Sequence, residues 1–236
     1  MKALKILILT TLLLYIFPSI VLSEVIVHDM ISVKGKKVML TAETRGNFFT
    51  KGGETVEFYI NKKIIGKTLS GGDGLAFTEF IPSYTGIYHI TAKSGGDKSN
   101  GLLLSLKKDA CIVFIDIEDS LFEGLFSKTP RTGSQKTIKI ISGKFPVVFL
   151  QTGVFGTNTI KLWLKENKFI DSPVIPWRQG AIFDEISEKG LRIKAIIGSQ
   201  SVIESAKTYK PKSFSFGETE DAEEVKDWEE IGKKLK

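Results

Sequence analysis

The sequence predicts two domains, an all-β sandwich followed by an α/β unit with a mostly parallel sheet, and three features predict it. Residues 24–107 alternate apolar and polar side chains over short runs broken by Gly, Asn and Ser, the pattern of half-buried antiparallel strands. From Asp109 onward, short apolar runs alternate with amphipathic stretches, as in βαβ units. At the start of this second part, Cys111 to Leu121 reads CIVFIDIEDSL, a run rich in Ile and Val, too short for a typical helix, that ends abruptly in carboxylates. Such a run is a buried strand delivering acids to a surface. Ligands of open parallel sheets bind beyond the carboxyl ends of the strands, which puts Asp116, Glu118 and Asp119 where chemistry is usually done.

Ahead of the sandwich, Lys2 and Lys5 precede an apolar run from Ile6 to Leu22, and Val21 and Ser23 fit the small-residue cleavage pattern before Glu24. Residues 1–23 therefore read as a signal peptide, and the protein as exported, periplasmic or secreted to the exterior. The competing reading is an uncleaved anchor, because the run approaches the ~20 apolar residues of a spanning helix, and membrane contact is expected only in that case. Pro18 and the Val-Leu-Ser exit favour cleavage. Loss of Lys2 and Lys5 with the leader takes the formal charge from +6 to +4, without long like-charge blocks or lysines alternating with aromatics, so nucleic-acid binding does not follow. Cys111, the only cysteine, has no disulfide partner in the chain and reads as a small buried hydrophobe.

In the sandwich, strands are expected near 25–31, 36–44, 54–60, 62–69, 74–81, 86–93 and 101–107. Val56, Phe58 and Ile60 share one face of the third, and Asn61 with Lys62 makes the tight turn into the fourth. The segment GETVEFYINKKIIGKTLSGGDGLAFTEFIPSYTGIYHITA resembles the bacterial immunoglobulin-like modules of exported and surface proteins, with the Gly71–Gly74 turn, Pro82 and the Gly86–Ala92 strand in matching places. The resemblance implies a spacer or binding unit, with Tyr88, Ile90 and Ala92 facing the core. His89 then points away from it, and with His28 as the only other histidine and no Cys cluster, neither reads as a metal ligand.

In residues 109–236, strands are expected at 110–116, 146–151, 192–198 and 212–216, and helices at 133–142, 157–167, 179–188, 200–207 and 222–235. Ile160, Trp163 and Leu164 share one helix face, as do Val225, Trp228 and Ile231, and these aromatics read as core. CIVFIDIEDSL resembles the first motif of the haloacid dehalogenase-like superfamily, mostly phosphohydrolases whose opening strand ends in Asp-x-Asp-x-Thr or Ser. KFPVVFLQTG, ENKFIDSPVIPW and RIKAIIGSQSVIESAKTY resemble its later segments in the same order. The resemblance implies a three-layer, Rossmann-like fold after the immunoglobulin-like sandwich, an arrangement similar to lipin-like and phosphatidate phosphatase relatives.

What the resemblance implies for chemistry is a Mg²⁺-dependent phosphatase acting on a phosphorylated substrate. Asp116 is then the nucleophile, forming an aspartyl-phosphate, and Glu118 the general acid and base. Ser120, Thr152 and Lys189 bind the phosphate, with Gln151 the alternative to Thr152 and Lys194 the alternative to Lys189. Asp116, Glu118 and Glu204 hold the metal. The segment FEGLFSKTPRTGSQ leaves no room for a cap domain, and Lys128, Arg131 and Lys136 there read either as phosphate attractors or as a solvated loop. Three departures from the family pattern stand out: Glu118 replaces Asp and is one methylene longer, Gly198-Ser199-Gln200 lacks the acid expected after the glycine, and the phosphate lysine is not fixed. They give weight to a rival from another class, a non-catalytic binding or scaffold protein with a decayed site and an immunoglobulin-like adhesion module.

Overall fold

The computed structural model describes residues 24–46, 49–124 and 127–235; the expected signal peptide lies outside the described residues. Eight strands build the first half: β1 (Glu24–Val27), β2 (Met30–Val33), β3 (Val38–Arg45), β4 (Thr55–Ile60), β5 (Lys63–Leu69), β6 (Leu75–Phe80), β7 (Gly86–Ser94) and β8 (Asp97–Leu106). They form a three-stranded sheet, β1-β3-β6, packed on a five-stranded sheet, β2-β8-β7-β4-β5. The period-2 pattern places Val56, Phe58 and Ile60 of β4 and Tyr88, Ile90 and Ala92 of β7 inward, against Leu40 and Ala42 of β3. Asn61 and Lys62 both take positive φ, 48° and 72°, the two-residue turn whose twist suits a hairpin, and the Asn61 carbonyl oxygen of the side chain accepts from the His89 backbone N–H.

The expected continuous strand at 25–31 is two strands in different sheets. β1 pairs antiparallel with β3, whereas β2 pairs parallel with β8, and the chain changes sheets at His28 and Asp29. The cause is Asp29, whose fully buried carboxylate leaves the sandwich for the second half: it accepts from the Lys161 ammonium at 2.6 Å and the Val174 N–H at 2.8 Å, as well as from the Leu102 N–H of β8 at 2.8 Å.

The second half opens with β9 (Cys111–Asp116), α1 (Ile117–Ser120) and a hairpin, β10 (Phe122–Gly124) and β11 (Ser127–Pro130), in a segment expected to be a loop. There follow α2 (Ser134–Ser142), β12 (Val147–Gln151), α3 (Thr157–Glu166), β13 (Val174–Pro176), α4 (Ala181–Glu188), β14 (Arg192–Ile197), α5 (Gln200–Ser205), β15 (Lys212–Ser215), β16 (Glu223–Glu224) and α6 (Trp228–Lys234). The sheet is all parallel, in the order β13-β12-β9-β14-β15-β16. Because helices cover both faces, β9 is apolar on both: Val113 and Ile115 pack with Trp163 and Trp228, while Ile112 and Phe114 pack with Phe183 and Ile186. Cys111, at the strand's start, is half-buried, less enclosed than expected.

The fold class expected from the sequence needs correction. Among the described residues strand accounts for 42% and helix for 24%, so strand outweighs helix. The helices are short: the one expected at 222–235 is α6 alone, with its first residues given to β16, and the one at 200–207 ends at Ser205. The second half has one apolar cluster of its own, around Phe149, Trp163 and Trp228, and shares a second with the sandwich. Ile31 and Val33 of β2 and Leu104 and Leu106 of β8 belong to the same apolar cluster as Phe114, Leu150, Ile186 and Leu191, so one core runs across the junction.

Candidate functional site

The sheet order reverses on either side of β9, with β12 and β14 as its neighbours, so the ends of these three strands converge on Asp116. Asp116 is 1% exposed. It caps α1, and its Oδ1 accepts from the Asp119 N–H at 3.5 Å and from the Thr152 hydroxyl at 2.6 Å. Its Oδ2 accepts from the Ser199 hydroxyl at 3.0 Å and the Ser199 N–H at 3.3 Å. Both carboxylate oxygens are thus occupied by donors from the chain itself. Close approach is what makes this possible: a Cβ on Gly198 would stand 2.8 Å from Asp116 Cβ, and one on Gly153 would stand 2.7 Å from Glu118 Cγ.

Glu118 Oε2 accepts from the Thr152 N–H at 3.1 Å and lies 3.2 Å from the Thr152 hydroxyl, whose single proton goes to the nearer Asp116. Its Oε1 is buried without a partner. Burial raises the pKa of Asp116, with the hydrogen bonds from Thr152 and Ser199 opposing it. Burial likewise raises Glu118; the Thr152 N–H opposes this and the Asp116 charge adds to it. Asp119 is raised by partial desolvation first and by Asp116 second, with Arg131 pulling the other way.

The other expected site residues are not brought to this cluster. Ser120 is fully buried with its hydroxyl unpaired, and its carbonyl accepts from Trp228 Nε1 at 3.2 Å and Arg131 Nε at 3.3 Å. Arg131 also donates to the Asp119 carbonyl and lies 4.2 Å from the centre of the Phe216 ring, so its guanidinium is already committed. Lys128 stands over the Phe155 ring and Lys136 is an exposed residue of α2. Gln151 holds the following loop, accepting from the Thr157 hydroxyl at 2.6 Å and donating to the Phe155 carbonyl, which leaves Thr152 as the residue facing Asp116. Lys189 precedes β14, whose Arg192 is level with Cys111, so it sits at the amino edge of the sheet, across the strand length of roughly 15 Å from Asp116. Lys194, within β14, is near the Phe145 ring. Glu204 is exposed on α5 and accepts from Gln200 Nε2 at 2.6 Å.

Among the described residues no three His, Cys, Asp or Glu side chains are grouped to hold a metal ion. The Mg²⁺ site expected from Asp116, Glu118 and Glu204 does not fit this donor set, since Asp116 has both oxygens taken and Glu204 turns to its own helix. Ser199, read from the sequence as a lost acid, donates both its hydroxyl and its N–H to Asp116 Oδ2.

No protein-family profile matches the chain, and no curated protein matches it. Similar solved structures include a CARDB domain from Pyrococcus furiosus, 16% identical, covering 36% of this chain and 92% of that one with a TM-score of 0.27. The D00–D0 domain of intimin is 15% identical over 35% of this chain and 46% of its own, at a TM-score of 0.30. Invasin, described as a bacterial integrin-binding protein, is 20% identical over 37% of this chain and 19% of its own, at 0.29. The chain therefore spans less than half of the intimin piece and about a fifth of invasin. None of these three is of the haloacid dehalogenase type. The assignment of residues 109–236 to that superfamily, with its lipin-like arrangement and the hydrolase, phosphatase and magnesium expectations built on it, is overturned. The motif CIVFIDIEDSL is a buried strand ending in a helix cap, with Asp116 held by the hydroxyls of Thr152 and Ser199.

Proposed function

We propose that this chain is a non-catalytic binding or scaffold protein, exported to the periplasm or cell exterior, in which an immunoglobulin-like sandwich and an α/β half form one continuous body. The observation that carries this reading is Asp116, 1% exposed with both oxygens held by Thr152, Asp119 and Ser199. A carboxylate so enclosed has no free lone pair directed at a substrate, and a nucleophile must reach its target. Export is supported by Lys2 and Lys5 ahead of the apolar run. Among the described residues no helix is long and apolar enough to cross a membrane.

The test is Mg²⁺-supplemented hydrolysis of a generic aryl phosphate by the wild type and Asp116→Asn side by side. The expected result is the same background rate in both. Turnover by the wild type that disappears in the variant would overturn the reading.

A further inference from the structure

A concentration of lysines lies where the two halves meet, near the amino ends of the parallel sheet strands and at the opposite end of β9 from Asp116. Two lysine-bearing segments far apart in sequence, Lys34–Lys36 after β2 and Lys107–Lys108 after β8, are placed side by side because β2 and β8 run parallel and end level, Val33 opposite Leu106. The turn after α4 brings Lys189 against them. Together they line a groove of about 550 Å³ whose only acid is Glu188.

The walls are fixed. The Lys34 N–H donates to the Leu106 carbonyl at 2.7 Å, and the Asp109 N–H donates to the Gly190 carbonyl at 2.9 Å, tying the linker to the turn after α4. Beneath, Val33, Leu106, Ile186 and Leu191 are buried in the shared core. Among the described residues Lys34, Lys36, Lys107 and Lys108 make no ion pair, and Lys189 reaches Glu185 only at 4.0 Å. Desolvation lowers the Lys189 pKa first of all, with Glu185 opposing, the state of a cation that gains from an added anion. Five like charges around one concavity repel one another, and a concave basic wall focuses the field on a counter-ion.

We propose that this groove between the sandwich and the α/β half binds a ligand carrying several phosphates, its oxygens shared among Lys34, Lys36, Lys107, Lys108 and Lys189. A single phosphate would fill a small part of the volume and meet few of the lysines; linked or clustered phosphates meet them together. The same chemistry comes from a soluble oligophosphate or from phosphodiester headgroups at an anionic lipid surface. The inference rests on the reading of this chain as a binding protein, and its test is a binding measurement, separate from the hydrolysis assay on which that reading turns.

The experiment titrates the full chain with inorganic tripolyphosphate by calorimetry and, in a second arm, with phosphatidylcholine vesicles containing phosphatidylglycerol. It compares the wild type with Lys107→Gln/Lys108→Gln and with a control of equal charge loss on the β4–β5 hairpin, Lys62→Gln/Lys63→Gln. The expected result is salt-sensitive tripolyphosphate binding, weakened roughly tenfold or more in the groove variant and little changed in the control. Binding to vesicles alone, lost in the groove variant only, supports the site with headgroups as its source. No binding in either arm, or equal loss in both variants, overturns the proposal. Equal thermal unfolding of the two variants shows that any lost binding is not lost folding.

Discussion

Asp29 and Asp116 are both buried carboxylates next to a strand end, yet one meets a cation and the other meets only hydroxyls and amides. Asp29 accepts from Lys161, Leu102 and Val174, joining three elements of two halves around a compensated charge. Asp116 accepts from Thr152, Ser199 and Asp119, joining three strand ends around a charge that no cation neutralises, and burial raises its pKa accordingly. The difference teaches what each is for. A charge whose partner lies across a junction fixes how two layers sit, whereas an acid surrounded by neutral donors can lose its charge and keep its bonds.

Substitution by the isosteric amide separates them most sharply. At Asp29 every neighbour is a donor, so the NH₂ of Asp29→Asn faces donors whichever way it turns, and Lys161 loses its counter-charge. Removing one partner of a buried pair costs about 3–5 kcal/mol, and that loss is expected here in urea unfolding, together with separate transitions for the two halves if the junction gives way. A change under about 1 kcal/mol would show that the junction rests on its apolar core alone.

Next in size is Gly198→Ala. The added methyl meets Asp116 Cβ at 2.8 Å, an atom fixed by its own backbone, so β14 and β9 must part, at a cost of about 1–3 kcal/mol. Gly153→Ala meets the middle of the Glu118 side chain, which can swing away, and should cost less. Denaturation midpoints of the two variants, measured in parallel, check the order.

The sequence made some of this legible. The buried strand Cys111–Asp116 and the turn Asn61–Lys62 follow from local pattern, because a short apolar run and an Asn turn act through neighbours in the chain. The change of sheet at His28 and Asp29 was not legible, since its cause is Lys161 and Val174, more than a hundred residues away. The role of Ser199 was not legible for a related reason: a serine where an acid is expected looks like loss, and only the 3.0 Å contact shows that it holds Asp116. Of the groove lysines the sequence singles out Lys189 alone, and for another site; Lys34, Lys36, Lys107 and Lys108 come from separate segments that the parallel pairing of β2 and β8 brings together.

The smallest effect is expected for Asp116→Asn, within about 1 kcal/mol at neutral pH, because this amide can be satisfied. Its oxygen accepts both Ser199 donors, its NH₂ donates to the Thr152 oxygen, and the Thr152 proton turns to Glu118 Oε2; only the long 3.5 Å bond from the Asp119 N–H is given up. The pH dependence carries more information than the magnitude. In the wild type the folded pKa of Asp116 lies above the ordinary value of 3.8, so between those two limits the folded protein binds more protons than the unfolded one. That contribution to stability is present at low pH and is lost as pH rises through the folded pKa. Asp116→Asn has no proton to bind there. The stability of the variant relative to the wild type should therefore improve as pH rises through that window and level off above it, a trend read from urea midpoints at a series of pH values. A flat difference would mean that Asp116 titrates alike folded and unfolded, and the contrast with Asp29 would then rest on geometry alone.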